Sequence, residues 1–155
     1  MLKQYYEDCA VGDQVRSSGR TITETDVIAF AGLSGDWNPV HTDDEYARAT
    51  PFGQRIAHGL LGLVATTGLL ARTGWFVTSP RSQTIISSID KARFVAPVFF
   101  GDTVTLEAEV VEKKMISNDR GLITLRLRLK NQRDEVVITL RMGLVVACRP
   151  AEQQP

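Results

Sequence analysis

Ala57-His58-Gly59-Leu60-Leu61-Gly62-Leu63-Val64-Ala65-Thr66-Thr67-Gly68-Leu69-Leu70-Ala71-Arg72-Thr73 is the stretch on which the fold turns. Leu60, Leu61, Leu63, Val64, Leu69 and Leu70 leave it apolar nearly all round. A helix without a polar face has to be surrounded by protein. Gly59, Gly62 and Gly68 each weaken such a helix by up to about 1 kcal/mol relative to alanine. In return, small residues let neighbouring backbone approach closely. The segment predicts a central helix wrapped by a curved sheet.

The sheet is written in the second half of the chain. Val104, Leu106, Ala108 and Val110 alternate with Thr103, Thr105, Glu107 and Glu109. Ile123, Leu125, Leu127 and Leu129 alternate with Thr124, Arg126, Arg128 and Lys130, and Val136 to Leu144 continue the pattern. Period-two alternation marks half-buried antiparallel strands. Turns fall at Asn118-Asp119-Arg120-Gly121 and Asn131-Gln132-Arg133-Asp134. A further strand is expected over Thr84 to Val95, ended by Pro97. On the N-terminal side, a strand or hairpin holds the turn Val11-Gly12-Asp13, echoed weakly by Phe100-Gly101-Asp102. Thr23-Glu24-Thr25-Asp26 reads as a capping box opening a short helix through Val27, Phe30 and Ala31, which runs out between Gly32 and Gly35. Strand, helices and then a run of strands imply an α+β fold.

The length of 155 residues suits one domain, residues 1–149, with a polar tail at 150–155. Eighteen basic side chains balance eighteen acidic ones. That balance disfavours nucleic acid and anionic membranes as partners. No apolar run reaches the roughly 20 residues of a bilayer span. The first residues lack the apolar core of a secretory signal. A soluble, cytoplasmic protein is expected. Cys9 and Cys148 form no close pair, so a metal knuckle or redox motif is not indicated.

Between the first helix and the central one runs an irregular stretch, Asp36 to Ile56, of the kind that often carries function. It opens with Ser34-Gly35-Asp36-Trp37-Asn38-Pro39-Val40-His41. A carboxylate and an imidazole stand five positions apart across an Asn-Pro turn. Pro39 restricts Asn38 to extended geometry, so the turn can fold Asp36 and His41 toward one point. Such a pair can pass protons near neutral pH. From spacing alone, Asp36 capping a turn and His41 bonding the backbone is the plainer alternative. Further on, Arg55-Ile56-Ala57-His58-Gly59-Leu60 opens the central helix. Its first N–H groups lack internal partners and sit at the positive end of the dipole. Gly59 has no side chain to block them, so an oxygen gaining negative charge could sit there.

Gly35-Asp36-Trp37-Asn38-Pro39-Val40-His41, followed by Phe52-Gly53-Gln54-Arg55-Ile56-Ala57-His58-Gly59, resembles the MaoC-like dehydratases, which include the (R)-specific enoyl-CoA hydratases. The likeness runs from Tyr5-Tyr6-Glu7-Asp8 to Phe99-Phe100-Gly101-Asp102 and covers most of the chain. It implies a hot-dog fold, with the long helix buried in an antiparallel sheet. It implies an acyl-CoA thioester as substrate, no cofactor, and at least a homodimer with the site near the subunit boundary. It places the work on catalytic water on Asp36 and His41, and the amide for the thioester carbonyl on Gly59. Thr67 is the counterpart of a hydroxyl-bearing residue that helps hold the pair. A thioesterase of the same fold is the nearest rival, but Leu60 to Ala71 contains no acid to serve it. A non-catalytic thioester-binding subunit is the other rival, and it would have no use for a proton relay.

Several residues carry two readings. Asn38 is a substrate contact or an Asx-turn residue. Arg93 and Arg55 are candidates for the phosphates of coenzyme A, or exposed cations. His58 is expected to play a structural part at the helix start, bonded to backbone. Asp43-Asp44-Glu45 is a solvated face or a cap for a turn at Tyr46. Neither histidine forms a known metal-ligand spacing with these acids, so no metal is expected. Arg126, Arg128 and Lys130 read as a wet sheet face. Trp75, Phe76, Phe94, Phe99 and Phe100 read as core or interface.

Overall fold

The computed structural model describes residues 2–76 and 83–150. Most of the polar tail, from Ala151, lies outside the described residues. After a 3-10 turn at Tyr6–Asp8 come two short strands, β1 (Gln14–Arg16) and β2 (Arg20–Thr21). Three helices follow: α1 (Glu24–Ser34), α2 (Pro39–Thr42) and α3 (Asp44–Arg48). The long helix α4 spans Gly59–Arg72, and the chain ends in β3 (Thr84–Phe94), β4 (Thr103–Met115), β5 (Arg120–Lys130) and β6 (Val136–Ala147). The sheet runs in the order β1-β4-β5-β6-β3, with β2 pairing the start of β4, and every pair is antiparallel. This is the expected α+β architecture. No helix among the described residues is long and apolar enough to cross a membrane.

Alternation decides which side of the sheet meets the helix. Val104, Leu106, Ala108 and Val110 of β4 are buried, as are Ile123, Leu125, Leu127 and Leu129 of β5 and Ile138, Leu140, Met142 and Leu144 of β6. Leu61, Ala65, Leu69 and Leu70 of α4 complete this core. A Cβ on Gly62 would lie 2.6 Å from Cδ1 of Ile138, so the helix crosses β6 there with little room for a side chain. Opposite, the polar face carries the pairs Arg126–Glu109 and Lys130–Glu107, as a wet face should. Cys9 and Cys148 are free thiols. Burial pushes the Cys9 thiol up to about 11, which leaves it unreactive near neutral pH.

The helix departs from expectation in one respect. The described residues cover only one of its sides. Leu60 and Val64 are 57% and 55% exposed. The reason is the position of β3, an edge strand whose residues from Ile85 to Phe94 are exposed on both faces. The sheet of a single chain is too narrow to close round a helix that is apolar on every side.

Local signals at the N-terminal side hold closely. Thr23 accepts from the Asp26 N–H and the Asp26 carboxylate accepts from the Thr23 N–H, closing the capping box of α1. Gly35 ends the helix in the left-handed region at φ 77°. The two echoing turns are alike in geometry. Gly12 and Gly101 both take positive φ, and the following aspartates, Asp13 and Asp102, each accept the N–H three residues back. Asp102 is buried at 4% exposure and also accepts from Gln132 Nε2 at 2.7 Å. Its turn follows Val98, whose carbonyl takes the Ala57 N–H and thereby sets the approach to α4. Asp102→Ala would remove the buried acceptor of the partly buried Phe99 N–H and of the Gln132 amide. It is expected to cost roughly 1–3 kcal/mol of stability, read as a lower urea midpoint at unchanged m-value.

Candidate active site

The loop after α1 is folded by its own short polar side chains. Asp36 Oδ1 accepts the Asn38 N–H at 3.2 Å, and Asn38 Oδ1 accepts the Val40 N–H at 3.1 Å. Asn38 thus serves as the N-cap of α2, with Pro39 in the first helical position. The four-residue helix turns His41 inward, where it is 9% exposed. Val40 O accepts the Ile56 N–H at 3.2 Å, and His41 Nδ1–H donates to Ile56 O at 2.8 Å. The loop is thereby stitched to the strand-like lead into α4.

His58 completes the arrangement. It is 3% exposed and stands as the N-cap residue of α4. Its Nε2–H donates to the main-chain carbonyl of Asp36 at 2.9 Å. Its ring stacks on that of His41, with centroids 3.8 Å apart and planes 30° from parallel, and packs at 5.0 Å on Phe30 of α1. Asp36, His41 and His58 each present a polar atom such that all three lie within 4.8 Å of one another. A carbonyl can only accept, so both rings carry their proton on the nitrogen that faces one. In their neutral forms, His41 keeps a bare lone pair on Nε2 and His58 one on Nδ1. The latter is buried without a partner among the described residues.

Electrostatics follow from this packing. Burial pulls the His41 pKa below its ordinary value, and the neighbouring His58 pulls in the same direction. The Ile56 carbonyl and the Asp36 carboxylate act against them. His41 is therefore an unprotonated base at neutral pH. A water about 2.8 Å from each of two groups can bridge atoms up to about 4.8 Å apart, the span within which Asp36 and His41 each present a polar atom. An ion bound at about 2.1 Å would require them closer.

A cavity of about 340 Å³ runs beside the pair, walled by His41, His58, Gly59, Phe52, Phe94 and Val98 among others. Gly59 begins α4, and its N–H has no acceptor among the described residues. A Cβ on Gly59 would lie 2.9 Å from the Phe94 ring, so a larger residue there would displace the ring or close the cavity.

The other sequence candidates fall elsewhere. Asn38 has its side-chain oxygen engaged in its own turn. Thr67 is not brought to the pair: its hydroxyl donates to Val64 O, and it lines a separate cavity of about 150 Å³ with Leu70, Phe76 and Ile86. The cause is helical phase, since Gly62 faces the first cavity and Thr67 lies more than one turn further along. Arg93 is exposed on β3, next to Phe94 but outside the cavity wall. Arg55 is no free cation. It bridges Glu24 of α1 and Asp44 of α3 at 2.7 Å each and stacks on Phe100. Asp43 caps α3 through the Tyr46 N–H. The sequence reading of His58 found its backbone bond but not its partner, because no spacing rule links position 58 to Asp36. The wall residues Phe94 and Ile138 lie outside both motifs, and Phe52 opens the second of them.

Comparison with known proteins places this geometry in a family. The model of the MaoC like domain matches residues 8–130. The (R)-specific enoyl-CoA hydratase of Rhodospirillum rubrum is 38% identical over 121 residues, 76% of this chain and 79% of that protein. The enzyme of the same name from Aeromonas caviae is 36% identical over 129 residues, 83% and 89% of the two chains. Among solved structures, a protein from Archaeoglobus described as a monoamine oxidase regulatory protein superposes with a TM-score of 0.88 at 37% identity, covering 94% of this chain and 95% of that one. A double-hotdog protein of Mycobacterium tuberculosis, at 21% identity and a TM-score of 0.75 over 97% of this chain and 46% of that one, shares the fold. With a helix lying across an antiparallel sheet and a matched span of this length, the chain is a hot-dog protein and belongs to the MaoC-like domain family.

Proposed function

We propose that the protein is an (R)-specific enoyl-CoA hydratase, reversibly adding water to a trans-2-enoyl-CoA thioester and acting in the cytoplasm. The observation that carries this reading is the gathering of the Asp36 carboxylate and the His41 imidazole beside an apolar cavity that also holds the Gly59 N–H. Relatives named for this activity support it.

The chemistry can be written on these atoms. A water bound between Asp36 and His41 gives its proton to Nε2 of His41 as its oxygen bonds to the β-carbon. The π electrons move toward the α-carbon and the thioester oxygen. That oxygen gains negative charge and is received by the Gly59 N–H at the start of α4. The imidazolium then returns its proton to the α-carbon, directly or through Asp36. One water is consumed, and the enzyme ends as it began. Acid–base work of this kind contributes roughly 10²–10⁴-fold and an oxyanion donor roughly 10²–10³-fold.

The same reading includes a second copy of the chain. Leu60 and Val64 of α4 are exposed apolar residues, as are Ile86, Ile89 and Phe94, which share the helix-facing side of β3. Phe94 is 51% exposed and also walls the cavity, so a partner seated there would border the site.

Mixing the protein with crotonyl-CoA is expected to bleach the enoyl absorbance without releasing free thiol, yielding (R)-3-hydroxybutyryl-CoA on chiral analysis. Thiol release would indicate a thioesterase, and no reaction a binding subunit. Asp36→Asn and His41→Ala are each expected to lower kcat by roughly 10²–10⁴-fold with the fold intact.

The pH dependence follows from His41. Its lowered pKa means that the base is lost only in acid, so kcat/KM should hold flat through neutrality and fall with a midpoint below 6.5. Stability has the same sign. The unfolded imidazole takes a proton more readily than the folded one, so this contribution is full above 6.5 and is lost as the pH falls through the folded value. A kcat/KM midpoint above 6.5 would contradict the assignment of His41 as base.

A further inference from the structure

We propose that His58 is the positioning residue of this site: one ring N–H fixes the main chain of Asp36, the ring face seats His41, and its own peptide leads into the Gly59 amide. The inference rests on the hydratase reading and deepens it.

The three working groups come from separate segments of chain. Asp36 follows the left-handed end of α1, His41 sits on the four-residue α2, and Gly59 opens α4. Asp36 itself is exposed, and among the described residues its side chain is held within its own turn. Across to α4, its hold is the bond from His58 Nε2–H to its carbonyl. The same ring supplies the stacked surface for His41. Moving His58 would therefore shift the acid, the base and the oxyanion donor against one another.

His58 is suited to hold rather than to transfer protons. Its Nδ1 is buried and without a partner among the described residues. The bond to the Asp36 carbonyl keeps a proton on the nitrogen that serves it. The charged and titratable groups acting on His41 are Asp36 and His58, while Arg55, three residues before His58, is occupied by Glu24 and Asp44. From α1, the ring that meets His58 is Phe30, which is apolar.

Two variants divide the roles. His58→Phe keeps a ring against His41 and loses the bond to Asp36. It is expected to lower kcat for crotonyl-CoA by roughly 10²-fold, with KM within about threefold and the acid limb near its wild-type position. His58→Gln keeps an amide N–H for the Asp36 carbonyl and loses the stacked ring. It is expected to lower kcat less, by about tenfold, while the acid limb moves upward toward 6.5 as water reaches His41. Wild-type kcat and pH profile in either variant would overturn the proposal. So would equal losses in both with an unmoved limb, the mark of general loosening. Nitrogen-15 spectra of the wild-type protein test the clamp without any variant. They should show His41 protonated at Nδ1 and His58 at Nε2, and the opposite tautomer at His58 would end the proposal. If the wild-type protein fails to hydrate crotonyl-CoA, the hydratase reading falls, while the tautomer pattern still reports on the clamp.

Discussion

Two imidazole N–H groups, each given to a main-chain carbonyl, are the constraint on which this molecule depends. His41 reaches Ile56 and His58 reaches Asp36. The donors and acceptors cross over: the loop histidine holds the lead into the helix, and the helix histidine holds the loop. Each bond fixes a tautomer, and each tautomer decides which nitrogen is left free. The carbonyls act here as second partners usually do for a working imidazole, by setting its orientation and basicity. Stacking the rings at 3.8 Å adds an electrostatic condition. Two unit charges about 4 Å apart repel by about 4 kcal/mol at an effective dielectric of about 20. The stack therefore tolerates one proton more readily than two. A site with this property can take a proton from water and return it without filling up with charge.

The helix that carries His58 and Gly59 is shaped by two demands at its first turn. It has to come close to the sheet, which Gly62 permits beside Ile138, and it has to leave its first N–H open, which Gly59 permits beside Phe94. A helix with alanine at both places would be intrinsically more stable. It would also press a methyl group into Ile138 and another into the Phe94 ring. Helix propensity gives way to approach distance at these positions. The apolar outer side of α4 and the bare strand β3 belong to the same economy of form. Among the described residues that side of α4 is left uncovered, and Phe94, half exposed, walls the cavity at its edge.

Much of this was legible in the residues, and the limits are physical. Alternation in β4, β5 and β6 gives the sheet because burial on one face leaves a period of two. The capping box at Thr23 and the turns at Gly12 and Gly101 are readable because each is set within four residues. The Asp36-to-His41 turn is legible for the same reason. Three things were not. The helix looks fully wrapped in sequence because an apolar residue reads the same whether the chain's own sheet reaches it or not. Arg55 looks like a free cation because its partners, Glu24 and Asp44, lie 31 and 11 positions away. Thr67 aligns by motif position, yet its hydroxyl returns to the carbonyl of Val64 within its own helix.

His58 shows why a histidine next to a helix-opening glycine resists reading from sequence. The bland expectation, a ring bonded to backbone, is met to the letter by the bond to Asp36. Its consequence depends wholly on whose backbone it is. Bonded to its own helix, the ring would be a cap and nothing more. Bonded 22 positions back, at the residue that carries the carboxylate, the same hydrogen bond becomes a strut between the loop and the start of α4. The chemical part played by a buried polar group is thus set less by its type than by the sequence distance it closes, and that distance appears only when the chain is folded.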